Sequence, residues 1–183
     1  AERGCSVLVV ETAPREFRGG NTRHTRNLRS IHDEPTDVMT DRYTFEEYWD
    51  DLMRVTKGVT NEPLAKLTLE SSQALMEWLI ERGVRFQKAL SGTLNLNHTN
   101  AFFLGGGRAM LNGLCRFAES IGVIFVYEAE VTDISLENGF CESVDVTLEG
   151  QSYRVRCKQL ITAAGGFEAD LDWLAEGLSL IHI

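Results

Sequence analysis

One short stretch constrains this chain more than any other: Ser6-Val7-Leu8-Val9-Val10-Glu11. Its four consecutive apolar residues, three of them β-branched, leave no polar face, which is the pattern of a parallel strand buried on both sides. Strands of that kind belong to α/β architectures, where helices cover both faces of the sheet. The run stops at an acid and is soon followed by Arg18-Gly19-Gly20-Asn21-Thr22-Arg23-His24-Thr25-Arg26-Asn27-Leu28-Arg29. The diglycine lets the backbone approach a ligand closely. Asn21 and Thr22 offer short polar arms, and the arginines and His24 make the loop locally cationic. A loop built this way faces something anionic. In doubly wound nucleotide-binding folds, the second strand ends in an acid that hydrogen-bonds ribose hydroxyls, and Glu11 occupies that place.

The rest of the chain argues against a polyanionic partner. Its formal net charge is -9, whereas nucleic-acid affinity comes largely from cations neutralising phosphates. A basic loop on an acidic protein suits a small anion better. Cys5, Cys115, Cys141 and Cys157 are scattered without Cys-x-x-Cys spacing. The spacing supports neither a metal site nor a disulfide framework, and a reducing cytoplasm is the expected setting. No apolar run approaches the length of a membrane span.

Taken in order, the sequence predicts strand, loop, helices, strand, meander and a final strand. Asp33 to Asp37 is a polar connector. Thr44-Phe45-Glu46-Glu47 is a capping box, opening a helix with an apolar stripe at Phe45, Tyr48, Trp49, Leu52 and Met53 that ends at Gly58. A second helix opens at Asn61 and Pro63, carries Leu64, Leu67, Ala74, Leu75, Trp78 and Leu79 inward, and stops at Gly83. Asn95, Asn97, His98 and Asn100 either line a polar pocket or form an ordinary surface loop. Gly105-Gly106-Gly107-Arg108 opens a third helix with Met110, Leu111, Leu114, Phe117, Ala118 and Ile121 on one side. Its glycines allow its first amides to meet an anion or another backbone, or serve as a hinge. Val123 to Val131 returns to strand. Asn138-Gly139 and Glu149-Gly150 mark two hairpins of a meander, and Leu160 to Ala164 reads as a buried strand ending in Gly165-Gly166.

Together these pieces resemble the FAD-binding domain of the fumarate reductase/succinate dehydrogenase flavoprotein superfamily. The resemblance lies in Val-Leu-Val-Val-Glu with Gly-Gly-Asn-Thr, and in the meander leading to Thr-Ala-Ala-Gly-Gly-Phe. Within that superfamily, Ala13 to Asn21, His24 to Arg29, Leu90 to Leu94 and Thr99 to Gly107 resemble the FAD-dependent tricarballylate dehydrogenases. The implied fold is a Rossmann-like α/β domain with a parallel sheet, a helical insertion and an antiparallel meander.

The resemblance also implies roles, residue by residue. Glu11 would bind the adenosine ribose, and Gly19, Gly20, Asn21 and Thr22 would lie along the pyrophosphate and flavin. Thr25, Arg26 and Asn27 would stand near the ring, Val131 would meet the adenine through its backbone, and Ala164 and Gly165 would close over the cofactor. FAD would be held non-covalently, since His24 does not fall at the histidyl-flavin position of some relatives. The implied substrate is a small tricarboxylate or dicarboxylate, with Arg26 and Arg108 as conceivable carboxylate partners. The implied electron partner is a membrane-associated iron-sulfur protein, placing a cytoplasmic protein at the periphery of the inner membrane.

No catalytic acid or base is assigned, because the superfamily places those groups after the Gly-Gly-Phe strand. The expected domain is 1–177, a fragment lacking the first strand with its Gly-x-Gly-x-x-Gly turn and the substrate-capping domain. Leu178 to Ile183 reads as a non-native tail. Alternatives within the same resemblance are a fumarate reductase-like or ketosteroid dehydrogenase-like enzyme, and a non-catalytic FAD-binding redox subunit of corrin-pathway type.

Overall fold

The computed structural model describes residues 1–89, 95–166 and 171–177, with backbone alone for 175–177. Leu90 to Leu94, Phe167 and the 178–183 tail lie outside the described residues. The chain divides into two compact units. One holds Ala1–Val9 and Thr22–Val126, and the other holds Val10–Asn21 and the described residues from Tyr127 onward.

β1 (Leu8–Val10), which begins in the first unit, pairs with β4 (Ile124–Val126), the Ile124 amide donating to the Val7 carbonyl at 3.0 Å. This two-stranded ladder is the parallel part of the fold. β1 is shorter than Ser6 to Glu11 and only half-buried, with Leu8 43% exposed. Burial on both faces needs strands on both sides and layers above and below, and β1 has one described neighbour. A second ladder joins β2 (Asn27–Arg29) antiparallel to β3 (Asn100–Phe102).

The helices follow their local signals closely. α1 (Phe45–Thr56) carries the full capping box: Thr44 Oγ1 accepts from the Glu47 amide at 3.3 Å, and Glu47 accepts from the Thr44 amide at 2.8 Å. It ends on Lys57 and Gly58, both left-handed. Its predicted stripe is half-buried at every position, and α1 contains no fully buried residue. α2 (Glu62–Glu81) is capped by Asn61, whose Oδ1 accepts from the Leu64 amide at 3.1 Å.

The inward face of α2 differs from the predicted one. Leu69, Ser72, Met76 and Leu79 are buried, while Leu64, Leu67, Leu75 and Trp78 are 40–60% exposed. The helix carries two apolar stripes, and tertiary packing selects the narrower one. That stripe admits a small residue, Ser72, whose hydroxyl accepts from the Ile31 amide at 3.0 Å.

α3 (Gly106–Ser120) buries Gly107, Met110, Gly113 and Cys115. Of its predicted face, Met110 is buried, Leu111, Leu114, Phe117 and Ala118 are half-buried, and Ile121 is exposed. Leu79, Val84, Phe103 and Met110 form one core cluster, and Met39, Met76 and Ala101 form another, with Leu28 and Phe86 packing against both.

The second unit is built on the meander β5 (Ala129–Glu137), β6 (Phe140–Leu148) and β7 (Gln151–Arg156), antiparallel in that order. Asn138 and Gly139 have φ of 51° and 82°, and Glu149 and Gly150 have 51° and 75°. Positive φ at both central residues is the I′ geometry that matches strand twist. The predicted strand Val123 to Val131 is broken in two, because Glu128 adopts φ 53° between β4 and β5. Leu160 to Gly165 is irregular and its side chains are mostly exposed, Ile161 at 87%, in place of the predicted buried strand. No described strand offers it a ladder, and Thr, Ala and Gly bring too little apolar area to hold it by packing. α4 (Leu171–Gly177) closes the described chain.

Candidate functional site

The candidate residues fall into two sets, one in each unit. In the second unit, Glu11 organises the loop that follows β1. Its Oε1 accepts from the Ala13 amide and its Oε2 from the Gly19 amide, each at 3.0 Å. One carboxylate thereby ties both ends of an eight-residue excursion, with Phe17 N donating to Pro14 O at 2.8 Å between them. Bonds from neutral amides to an ionised oxygen are among the stronger ones a loop can make. A carboxylate accepts about four hydrogen bonds, so Glu11 keeps lone pairs for a ribose. Its carbonyl also accepts from the Ala129 amide at 3.1 Å, fixing the start of β5.

Gly19 and Gly20 have φ of 93° and 46°, and a Cβ on Gly20 would meet nothing within 4 Å. Both glycines are there for backbone conformation, and Gly20 leaves open space above it. Asn21 is exposed at the start of the 3-10 turn Gly20–His24, and its side chain has no partner among the described residues. Arg18 stacks its guanidinium 6.0 Å from the Tyr127 ring. Val131 lies on β5 opposite Val146, beside a register shift that leaves Thr132 out of the pairing. β5 is one of the two edge strands of the meander, and Val131 is 41% exposed. Ala164 and Gly165 lie in the irregular exposed segment, Gly165 with φ 81°.

In the first unit, Thr22 to Asn27 are seated on the beginning of α3. The Gly107 amide donates to the Thr25 carbonyl at 2.5 Å, and the Gly106 amide to the Phe103 carbonyl at 3.1 Å. A Cβ on Gly107 would stand 2.3 Å from the Thr22 carbonyl oxygen and 2.7 Å from that of Thr25. The triple glycine is thus a close backbone contact. Two early α3 amides are taken by protein carbonyls, so of the predicted alternatives the meeting with another backbone is the one observed. The Phe103 amide then donates to Arg26 O at 2.9 Å, and Asn27 Nδ2 donates to Asn100 Oδ1 at 2.5 Å, leading the loop into the β2–β3 ladder.

Thr22 and Arg26 are exposed, and Thr25 and Asn27 are half-buried. The side chains of Thr22, Arg26 and Arg108 have no partner among the described residues. Arg29, by contrast, is fully engaged. Its guanidinium lies 5.7 Å from the Tyr43 ring and 5.5 Å from the Tyr48 ring, and donates to Asp51 Oδ2 at 3.3 Å. Asp51 also accepts from Tyr43 Oη at 2.8 Å and pairs with Arg54. Burial, then the bond to Asp51, pushes the Tyr43 hydroxyl well above its ordinary pKa, so it stays a donor. Sequence reasoning missed this cluster, because its members are scattered from β2 to α1.

Asn97 and Asn100 of the asparagine-rich segment are tied into the fold, while Asn95 bonds its neighbours at the surface. Asn97 is buried, its Nδ2 donating to Val38 O at 3.0 Å and Asn100 O at 3.4 Å. Asn95 accepts from Thr40 Oγ1 at 2.9 Å and donates to Asp41 at 3.1 Å. His98 meets the Tyr43 ring edge-on at 5.6 Å.

The residues fit a flavin dinucleotide chemically. FAD presents a ribose diol to a carboxylate and a dianionic pyrophosphate to close glycines, backbone amides and short polar arms. In the second unit, Glu11, the diglycine and the uncommitted Asn21 are groups of those types, and in the first unit Thr22 is another.

The chain has recognisable relatives. It is 24% identical over 174 residues to the NADH:fumarate oxidoreductase of Klebsiella pneumoniae (strain 342), covering 92% of this chain and 19% of that protein. The Mycobacterium smegmatis Sdh1 complex superposes with a TM-score of 0.73 at 16% identity, over 91% of this chain and 31% of that one. The 3-ketosteroid-Δ4-(5α)-dehydrogenase of Rhodococcus jostii RHA1 does so at 0.70 and 18%, over 86% and 40%. The chain therefore spans about a fifth of the curated relative and less than half of each structural one. A profile described as the FAD binding domain matches residues 1–180. With that match spanning nearly the whole chain, and with the Glu11-diglycine loop in place, the chain belongs to the FAD binding domain family, and its cofactor is FAD.

Proposed function

We propose that the protein of which this chain is part dehydrogenates tricarballylate to cis-aconitate. The observation that carries the substrate class is the pair Arg26 and Arg108. Both guanidinium groups are exposed and uncommitted among the described residues, while Arg29, Arg54, Arg82 and Arg154 are spent on protein carboxylates. The Thr25–Gly107 backbone bond brings the chain at these two arginines together. Arginine is the residue best suited to hold carboxylates in a fixed, two-pronged geometry, and tricarballylate carries three.

Removing two hydrogens across a carbon–carbon bond transfers a hydride and a proton. Bound FAD supplies the hydride acceptor. The chain's own share is to bind and orient. Glu11 holds the ribose; Gly19, Gly20, Asn21 and Thr22 lie along the pyrophosphate and flavin. Thr25, Arg26 and Asn27 face the ring and substrate, Val131 meets the adenine, and Ala164 and Gly165 close over the cofactor. The single domain is 1–177. The electron partner is a membrane-associated iron-sulfur protein, in keeping with a structural relative described as a complex. The protein itself is cytoplasmic and peripheral to the inner membrane; among the described residues no helix is long and apolar enough to cross one.

A second reading, reduction of fumarate, is favoured by the curated relative named NADH:fumarate oxidoreductase. Anaerobic addition of tricarballylate to the full-length protein should bleach its flavin absorbance, while a 3-ketosteroid should not. Failure of tricarballylate to bleach, with reoxidation of the reduced protein by fumarate, would refute the first reading in favour of the second.

A further inference from the structure

Cys141 and Cys157 are sixteen residues apart, and no motif links them in the sequence. The β6–β7 hairpin brings them together. Ser143 pairs with Arg156 at the end of the ladder, and the Cys157 amide donates to Glu142 O at 3.2 Å one step further. The two sulfurs lie 3.6 Å apart, and both side chains are half-buried. Sulfurs in van der Waals contact across a strand pair reach the ~2.05 Å of a disulfide by small side-chain rotations. Cys5 is exposed at the other end of the chain, and Cys115 is buried in α3.

We infer that Cys141 and Cys157 form a dithiol site that closes to a disulfide by exchange with small disulfides. The site is independent of the substrate reading above. The first thiolate of the pair attacks one sulfur of a disulfide such as oxidised glutathione, expelling one glutathione thiolate and leaving a mixed disulfide. The second cysteine loses its proton to solvent, attacks the protein sulfur of that mixed disulfide and expels the second glutathione. Two protein thiols are oxidised to one disulfide, and one glutathione disulfide is reduced to two thiols. Burial and the contact with Cys157 raise the pKa of the Cys141 thiol, which slows its exchange at neutral pH.

Closure ties the beginning of β6 to the exit of β7, immediately before the segment that carries Ala164 and Gly165. The new link fixes a loop that otherwise leaves the sheet with the Cys157 amide as its last ladder bond.

The test uses the purified chain, exposed to excess oxidised glutathione, blocked with iodoacetamide and mapped by mass spectrometry without reduction. With the blocking done in denaturant, one cross-linked peptide should join Cys141 to Cys157, while Cys115, buried in the native fold, is alkylated and the exposed Cys5 is either alkylated or carries a glutathione adduct. In C141S and C157S, at least one variant should retain a lasting glutathione adduct on the remaining partner, because the resolving thiol is gone. Alkylation of both Cys141 and Cys157 in the treated parent chain would overturn the inference. So would a lasting adduct on either one in that chain, or a dimer linked through them.

Discussion

Gly107→Ala tests how the arginine-rich loop and α3 fit together. On helix propensity alone the change should stabilise α3 by about 1 kcal/mol. The structure predicts the opposite sign. An added Cβ would sit 2.3 Å from the Thr22 carbonyl oxygen, 2.7 Å from that of Thr25 and 3.0 Å from the Arg23 carbonyl carbon. All three are backbone atoms, so no rotamer change relieves the overlap. Restoring ordinary contact requires helix and loop to part by about 1 Å. That displacement stretches the Gly107–Thr25 hydrogen bond, now 2.5 Å, to the edge of its range.

Losing the bond costs about 1 kcal/mol, and overpacking a tight contact costs about 1–3 kcal/mol. Net of the propensity gain, the variant should lose about 1–3 kcal/mol. Urea unfolding followed by far-ultraviolet circular dichroism measures the loss, and hydrogen exchange should show the Gly107 amide exchanging faster than in the parent. A variant as stable as the parent, with the Gly107 amide equally protected, would refute the close approach and with it the placement of Thr22 to Thr25.

Two other outcomes follow from local chemistry. Thr44→Ala removes the hydroxyl that caps α1 and should destabilise the chain by about 1 kcal/mol in the same urea assay; a change within error would mean that the box contributes nothing. The Asp145 carboxylate accepts from Arg154 Nε at 2.8 Å and Nη2 at 2.9 Å, and that hydrogen bonding holds its pKa below the ordinary value. A depressed folded-state pKa gives stability that is present above the unfolded pKa and lost as pH falls through the folded one. The β6–β7 pair should therefore weaken in acid, and Asp145→Asn should flatten that limb of the pH–stability curve while leaving its slope near neutrality unchanged. Carbon-13 NMR titration of the Asp145 carboxyl group gives a direct check, and a midpoint at or above that of an unperturbed aspartate would contradict the geometry.

What the sequence determines here is what depends on near neighbours. Thr44 and Glu47 fix the start of α1 because a capping box closes within four residues. Asn138-Gly139 and Glu149-Gly150 fix both hairpins because the turn itself demands positive φ. The acid after β1 and the diglycine after it are legible for the same reason, and Glu11 holds Gly19 across only eight residues.

What depends on partners far along the chain is decided by tertiary structure alone. α2 offers two apolar stripes, and only contact with Val84, Phe103, Met39 and Ala101 selects the one through Leu69, Met76 and Leu79. Leu160 to Ala164 has a strand's composition, yet without a paired neighbour its backbone has no ladder to join. Arg29 reads as one more cation in an anion-binding loop until Tyr43, Tyr48 and Asp51 are seen to enclose it. Gly107 reads equally well as hinge, anion site or close contact until the Thr22 and Thr25 carbonyls are seen against it. Periodicity and turn chemistry report what a residue can do locally, whereas a glycine's missing Cβ or an arginine's spent charge acquires meaning only from the atoms the fold places opposite it.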